Sequence, residues 1–312
     1  MKIAYLILAH KEPAQLRRLT DRLVGSGDVY IHLDQKTDFK AFCDRFGAHP
    51  RVYISQRFKV WWAGFSMIKA YMHLFEAAYS APEGYDRFVL MTGQDYPLMT
   101  SEEIVVEFEK NPETEYVMAY NLATSTVPTD KNKVLKRWYL DVPVFSSALW
   151  AKLWHGISYR VLTKPWTGRR LSVPLGGKMV DPYFGQMLSS FTRQGVELLL
   201  RTYKTDKAFN RKMKRVFAQV ELYWQTVIFN SNLREKTVQG GKEHEITEHF
   251  GWAPHHYHNY DVDTSVYTEE DFEQLKNCGY MFCRKVVPGV SDGLMDKIDG
   301  WLNEKENIAR SK

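Results

Sequence analysis

The run Ile3-Ala4-Tyr5-Leu6-Ile7-Leu8-Ala9 constrains the fold more than any other stretch of the chain. It is apolar without alternation and of strand length, the pattern of a parallel strand covered on both faces. His10-Lys11-Glu12-Pro13 turns the chain. Pro13 suits the first turn of a helix that Leu16, Leu19 and Leu23 continue at helical spacing, and Gly25 and Gly27 end it. Val29-Tyr30-Ile31-His32-Leu33 reads as a second strand with Asp34 at its carboxyl end. Strand, helix and strand in this order form a βαβ unit, so the expected class is α/β with a parallel sheet. In open sheets of this kind ligands bind beyond the carboxyl ends of the strands. His10, Lys11 and Asp34 therefore stand at a potential nucleotide site. Asp34 equally suits a turn before Gln35-Lys36-Thr37.

The pattern repeats. Arg51-Val52-Tyr53-Ile54, Arg87-Phe88-Val89-Leu90-Met91 and Tyr116-Val117-Met118-Ala119-Tyr120 read as further strands. The fourth strand runs into Thr92-Gly93-Gln94-Asp95-Tyr96-Pro97, where Gly93 permits close backbone approach and Pro97 fixes the turn. Trp61-Trp62 precedes a helix and suits core packing. Tyr280-Met281-Phe282-Cys283 is the last strand and delivers Arg284 and Lys285, two cations well placed for a pyrophosphate. No glycine-rich dinucleotide fingerprint follows the first strand and no GxxxxGK[ST] loop exists, which argues against a Rossmann dehydrogenase and a P-loop kinase.

Glu221 opens the stretch Glu221-Leu222-Tyr223-Trp224-Gln225-Thr226-Val227-Ile228. Trp224, Val227 and Ile228 share one helical face. A carboxylate among such neighbours is costly to desolvate unless it is paired or used. It either answers the helix dipole through free amides or serves a cleft.

Aromatic residues make up 14% of the chain, and the net charge is +5. The mild excess of positive charge suits a phosphate-bearing ligand or an anionic surface and is too diffuse to argue for nucleic acid. Three cysteines, Cys43, Cys278 and Cys283, form no CxxC pattern, which disfavours a disulfide framework or zinc cage and suits a reducing compartment. No apolar run approaches the ~20 residues that span a bilayer. Lys131, Lys133, Lys136 and Arg137 precede a Trp- and Arg-rich stretch, and residues 131–170 read as an acceptor groove, a contact with an anionic membrane, or a solvated helix with a packed face. His255, His256 and His258 read as exposed loop histidines. Thr192 is expected to cap a helix through Leu200, and the tail from Asn303 is expected to be frayed.

Ile31-His32-Leu33-Asp34-Gln35-Lys36, Trp61 to Ala70, Gly93-Gln94-Asp95-Tyr96-Pro97-Leu98, Glu221 to Thr226 and Phe282-Cys283-Arg284-Lys285 occur in this order. Together they resemble the core-2/I-branching β-1,6-N-acetylglucosaminyltransferase family, which includes the peptide O-xylosyltransferases. The resemblance runs from about residue 3 to 286. It implies a GT-A fold over residues 1–302, with 1–120 mainly binding nucleotide-sugar, 121–302 carrying the acceptor site and the base, and 303–312 a flexible tail. It implies inverting transfer from a UDP-sugar to a hydroxyl of a glycan or lipid-linked saccharide. Glu221 matches the family's general base, Asp34 its uridine contact, and Lys285 its diphosphate cation. His10, Gly93, Asp95 and Arg284 are the further candidates for donor binding. Trp252 and Tyr257 are candidates for the acceptor. The resemblance implies basic side chains in place of a metal, so no cofactor is expected.

The sequence departs from the pattern in three ways. Asp263-Thr264-Ser265 stands where the family offers a second cation. Asp261-Val262-Asp263 spells a DxD metal motif, but after the presumed base. Animal members carry an anchor that this chain lacks, from which a cytoplasmic enzyme, peripheral on the membrane, is expected. The rival readings are a metal-dependent transferase or hydrolase using Asp261, Asp263 and histidines, and a non-catalytic nucleotide- or carbohydrate-binding protein.

Overall fold

The computed structural model describes residues 1–127, 129–141, 171–245, 253–258 and 266–311. The opening apolar run is β1, Ile3–Ala9, with every residue except Leu8 buried. Helix α1, Pro13–Leu23, buries Leu16, Leu19 and Leu23 as the spacing requires. Strand β2, Gly27–Leu33, runs parallel to β1 in the register Ile3↔Gly27 to Ala9↔Leu33. Gly27 opens this strand instead of ending the helix. A Cβ there would lie 2.5 Å from the Ile3 carbonyl oxygen, so glycine alone admits the approach. There follow α2 (Phe39–Phe46), β3 (Val52–Ser55), α3 (Phe65–Tyr79), β4 (Arg87–Thr92), β5 (Asp95–Pro97) and α4 (Ser101–Lys110). Thr100 and Glu103 form a reciprocal capping box that starts α4.

Strands β4, β1, β2 and β3 lie side by side and parallel, and Ser190–Thr192 adds an antiparallel edge beside β4. The pleat of β1 divides the core. Ile3, Tyr5 and Ile7 face the layer of α1 and α4 with Leu16, Leu19, Leu23 and Phe108. Ala4 and Leu6 face α3 with Ile68, Tyr71 and Phe75. The helix Tyr223–Phe229 packs on this second layer, and Trp224 stands edge-on to Tyr71 with ring centroids 5.8 Å apart. The α/β class and the parallel sheet are those expected from the sequence.

A second sheet positions the chain's C-terminal part. Phe282–Arg284 pairs antiparallel with β5, setting Arg284 opposite Asp95, and His256–Tyr257 lies parallel on its other side.

Three expectations are corrected. The strand expected over Tyr116–Tyr120 is reduced to a bridge of Tyr116 to Ser190 and the pair Tyr120–Asn121 against Tyr183–Phe184. The Val117 N–H turns back to the Glu115 carbonyl at 2.8 Å, which bends the chain at Tyr116. Thr192 caps its helix as expected, but the helix extends from Arg193 to Thr205, past Leu200. The tail expected from Asn303 is part of the helix Asp292–Arg310, which Leu294, Ile298 and Leu302 bury on one side. Lys305 then pairs with Glu103 at the start of α4 at 2.5 Å, tying the terminus down. Among the described residues no helix is long and apolar enough to cross a membrane.

Trp224 is fully buried and its indole N–H has no partner among the described residues, so its contribution is packing. Trp224→Ala should cost about 3–5 kcal/mol in urea denaturation. Trp224→Phe, which gives up no hydrogen bond, should cost less.

Candidate active site

A pocket of about 330 Å³ opens where the carboxyl ends of β1, β2 and β4 meet. Leu8 to Lys11, His32 with Asp34, and Thr92 to Gln94 supply its walls, and Val60, Trp62, Met187 and Arg284 close it. A wider groove of about 830 Å³ lies away from the strand ends, between α1, α4 and the last helix. Its lining mixes carboxylates and cations, including the Lys305–Glu103 pair, and none of the candidate residues reaches it.

Asp34 is buried in the pocket wall. Its Oδ1 accepts from the Lys36 N–H at 2.9 Å and the Val60 N–H at 3.2 Å, and Lys36 Nζ lies 3.1 Å from Oδ2. Lys36 Nζ also lies 3.9 Å from the centre of the Trp61 ring, a cation–π contact. Asp34 is therefore both the turn residue and the wall residue that the sequence allowed. Gly93 donates to the Leu8 carbonyl at 3.2 Å, and a Cβ on it would meet Ala9 Cβ at 3.3 Å, so the backbone closes tightly at the base of the pocket. His10 stands at the rim. Desolvation on its pocket side, then the neighbouring Lys11, lower its pKa.

Asp95 does not line the pocket. It is fully buried beneath it, where Oδ2 accepts from the Thr92 N–H at 2.7 Å and Oδ1 takes Arg284 Nη1 at 2.9 Å. Arg284 also donates to Thr92 Oγ1. Asp95 thus holds Arg284, and it is Arg284 that reaches the pocket. Lys285 is half-buried beside it. Burial, then Arg284 and Lys11, lower its pKa, the mark of three cations crowded together. Among the described residues neither Lys11 nor Lys285 has a carboxylate partner.

Glu221 ends a short 3₁₀ turn, Gln219–Glu221, ahead of the helix Tyr223–Phe229. The N-cap position of that helix is Leu222, whose side chain offers no cap, and Glu221 stands one residue ahead of it. Its carboxyl is half-buried and pushed up to about 7 by burial, which Lys133 offsets in part. The Gly185 N–H donates to the Glu221 carbonyl at 2.9 Å, and Met187, two residues further on, lines the pocket. Gly185 has no room for a side chain, since a Cβ would meet the Met118 carbonyl at 2.1 Å. A two-residue step thus joins the backbone of Glu221 to the pocket, although its carboxyl is not part of the wall.

Tyr257 lies elsewhere, packed beside Tyr267 and Tyr280 and bonded to Gln274 at 2.6 Å. Trp252, Asp261, Asp263 and most of 131–170 fall outside the described residues. His255 and His256 are buried, not exposed, because the chain there joins the second sheet. Their Nδ1 atoms lie 2.7 Å apart, and His256 Nε2 lies 3.4 Å from Asp95. Among the described residues no cluster of three His, Cys, Asp or Glu side chains forms a metal site. Sequence reasoning missed His32, Val60, Trp62 and Met187 as pocket residues. For His32 the alternation of β2 was a usable signal, because it shares the face of Tyr30 rather than that of Ile31.

The model of one family, Core-2/I-Branching enzyme, matches residues 3–276. The chain belongs to that family. Its sheet with a strand-end pocket is accordingly the GT-A fold of these glycosyltransferases. Over 147 residues, 45% of this chain, it is 24% identical to human xylosyltransferase 2, of which the match covers 16%. Over 113 residues, 35% of this chain, it is 29% identical to a zebrafish (Danio rerio) protein, beta-1,3-galactosyl-O-glycosyl-glycoprotein beta-1,6-N-acetylglucosaminyltransferase 4, of which it covers 26%. The chain thus spans about a quarter or less of these relatives.

The raised pKa of Glu221 has a stability consequence. Its folded value of about 7 exceeds the ordinary 4.5, so the folded chain binds this proton more tightly than the unfolded chain. The stabilisation is complete below about pH 4.5 and is lost as pH rises through about 7. Glu115, buried against Thr192 and raised to about 7, acts in the same direction. His32 and His255, whose pKa burial lowers, act in the opposite direction, so the Glu221 share is read as a difference: the stability of the native chain minus that of Glu221→Gln in urea unfolding should decline from pH 5 to pH 8. The same difference taken with Glu115→Gln should report the share of Glu115.

Proposed function

We propose that this member of the family is an inverting glycosyltransferase that moves a sugar from a UDP-sugar to a hydroxyl of a glycan acceptor. N-acetylglucosamine is the first candidate for the sugar, with xylose or another hexose as alternatives. In this reading residues 1–120 mainly hold the donor, while the later part of the chain supplies the acceptor side and the base. The observation that carries it is the half-buried Glu221 carboxyl with its pKa raised to about 7, on a backbone that stands a two-residue step from a pocket lined by Lys11 and Arg284, with Lys285 next to Arg284.

The step balances as follows. Glu221 takes the proton from the acceptor hydroxyl. The freed oxygen pair forms a bond to the anomeric carbon as the bond from that carbon to the diphosphate oxygen breaks. UDP leaves with the electron pair, and the configuration inverts. A base whose pKa lies near the working pH is well matched to this transfer. The cations answer the charge that develops on the leaving group. Lys285 and Lys11, which have no carboxylate partner among the described residues, suit that role, and Arg284 is aimed by Asp95. The names of the relatives, a xylosyltransferase and an acetylglucosaminyltransferase, support sugar transfer and do not choose the sugar.

A screen of UDP-GlcNAc, UDP-xylose, UDP-glucose and UDP-galactose, with and without EDTA, scores UDP release. Release from one donor should survive EDTA and rise with pH through about 7 as Glu221 loses its proton. Glu221→Gln should lower transfer by about 10²–10⁴ and flatten that limb. Release abolished by EDTA would move the diphosphate chemistry to a metal. UDP binding without turnover of any donor, equal in Glu221→Gln, would mark a binding protein.

A further inference from the structure

We propose that the surface running from Trp62 across Phe217 to Trp138 and Tyr139 is the acceptor subsite, and that it takes an acidic saccharide chain. The inference rests on the transferase reading and adds to it the class of acceptor.

Trp62 is 78% exposed, more than any other large hydrophobic side chain described. It is also a wall of the strand-end pocket, so one indole faces both the pocket and the outside. Phe217 stands edge-on to it with centroids 5.9 Å apart, and Trp138 packs on Phe217 at 4.7 Å. Backbone bonds fix the series: the Phe217 N–H donates to the Lys133 carbonyl at 2.9 Å, and the Trp138 N–H to the Arg215 carbonyl at 3.1 Å. The residues that follow two of these aromatics, Ala63 and Ala218, have φ of 58° and 49°. Non-glycine residues rarely occupy that region, and such strain persists where a turn must present a side chain. Three residues beyond Ala218 stands Glu221, whose N–H donates to the Ala218 carbonyl at 2.9 Å, so the backbone of the proposed base adjoins the platform.

The platform is cationic. Arg215 lies over the Tyr139 ring at 4.3 Å, and Lys214 lies 5.3 Å from the Phe65 ring. Both are exposed, and among the described residues neither has a carboxylate partner. The nearby carboxylates are engaged. Asp130 is buried under Lys133 and Asp206 caps the helix Lys207–Met213, while Asp141 is exposed, accepts from the Ser66 N–H and hydroxyl and keeps its charge against the two cations.

A pyranose ring presents a face of C–H groups that stacks on an aromatic side chain while its hydroxyls stay in water. Carboxylates on such a chain match Lys and Arg at the platform edge. An anionic bilayer would instead favour several protruding apolar side chains. Here Trp62 alone of the four aromatics is exposed, and the other three are half-buried.

The test is binding by the full chain, read by isothermal titration calorimetry, of short oligogalacturonates and hyaluronan fragments, with their neutral methyl esters as controls. The acidic forms of at least one series should bind about tenfold tighter than the esters. Trp62→Ala should weaken that binding by about tenfold and Trp62→Phe by less. Lys214→Gln with Arg215→Gln should abolish the preference for the acidic form. The exposure of Trp62 makes these variants safe to fold, which circular dichroism checks. Equal binding of acid and ester, no binding of either series, or binding lost with the cations but indifferent to Trp62→Ala would overturn the proposal. So would Trp62-dependent binding to phosphatidylglycerol vesicles without saccharide binding, which would make the surface a membrane contact. UDP release is measured separately, so failure of the transferase reading and failure of this subsite give different patterns.

Discussion

The contact on which the site depends is the buried pair of Asp95 and Arg284. Burial alone would raise the Asp95 pKa. The guanidinium of Arg284, then His256 and the Thr92 N–H, overcome it and hold the carboxyl well below the usual range. A charge so placed needs its partner: removing one member of such a pair typically costs about 3–5 kcal/mol. The pair clamps the end of β4, the short strand β5 and the strand Phe282–Arg284 into one unit. It therefore sets where Arg284 enters the pocket and where Lys285 meets Lys11. The geometry of the proposed diphosphate site is thus decided by a carboxylate that lies below the pocket floor.

Local pattern made the first half of the fold legible. An unbroken apolar run, a helix at regular spacing and a second run specify the βαβ unit, because each element is settled by neighbours close in sequence. The same logic placed His10, Asp34 and Gly93 at strand ends, where they line the pocket. It failed where distant segments decide. Asp95 and Arg284 were both singled out, but as two donor contacts. Their pairing follows from the register of β5 with Phe282–Arg284, across 189 residues, which no local pattern encodes. The burial of His255 and His256 has the same origin. The bend at Tyr116 escaped because the stretch is apolar enough for a strand and its turn contains no glycine or proline.

Among the described residues, three that are not glycine adopt positive φ: Glu12, Ala63 and Ala218. Each adjoins a residue of the pocket or of the proposed machinery. Glu12 follows Lys11, Ala63 follows Trp62, and Ala218 precedes the turn that carries Glu221. Strain of this kind costs of order 1–3 kcal/mol per residue and survives only where surrounding packing enforces it. The tightly packed layers on both faces of the sheet supply that enforcement. The pair Trp61-Trp62 shows the result: one indole lies under Lys36 while its neighbour stands in solvent.

The second sheet also has a consequence for the order of events at the ribosome. Its strand Phe282–Arg284 is made well after the parallel sheet, yet it carries Arg284, which lines the pocket. A nascent chain released as far as Glu221 has the parallel sheet and the carboxylate, while Asp95 waits without a counter-ion. Domains tend to fold as the chain appears, N-terminal parts first. The strand-end pocket then lacks one wall and has an unmatched acid beneath it until Phe282–Arg284 has been made. The pocket is thus completed after the sheet that bears it, not together with it.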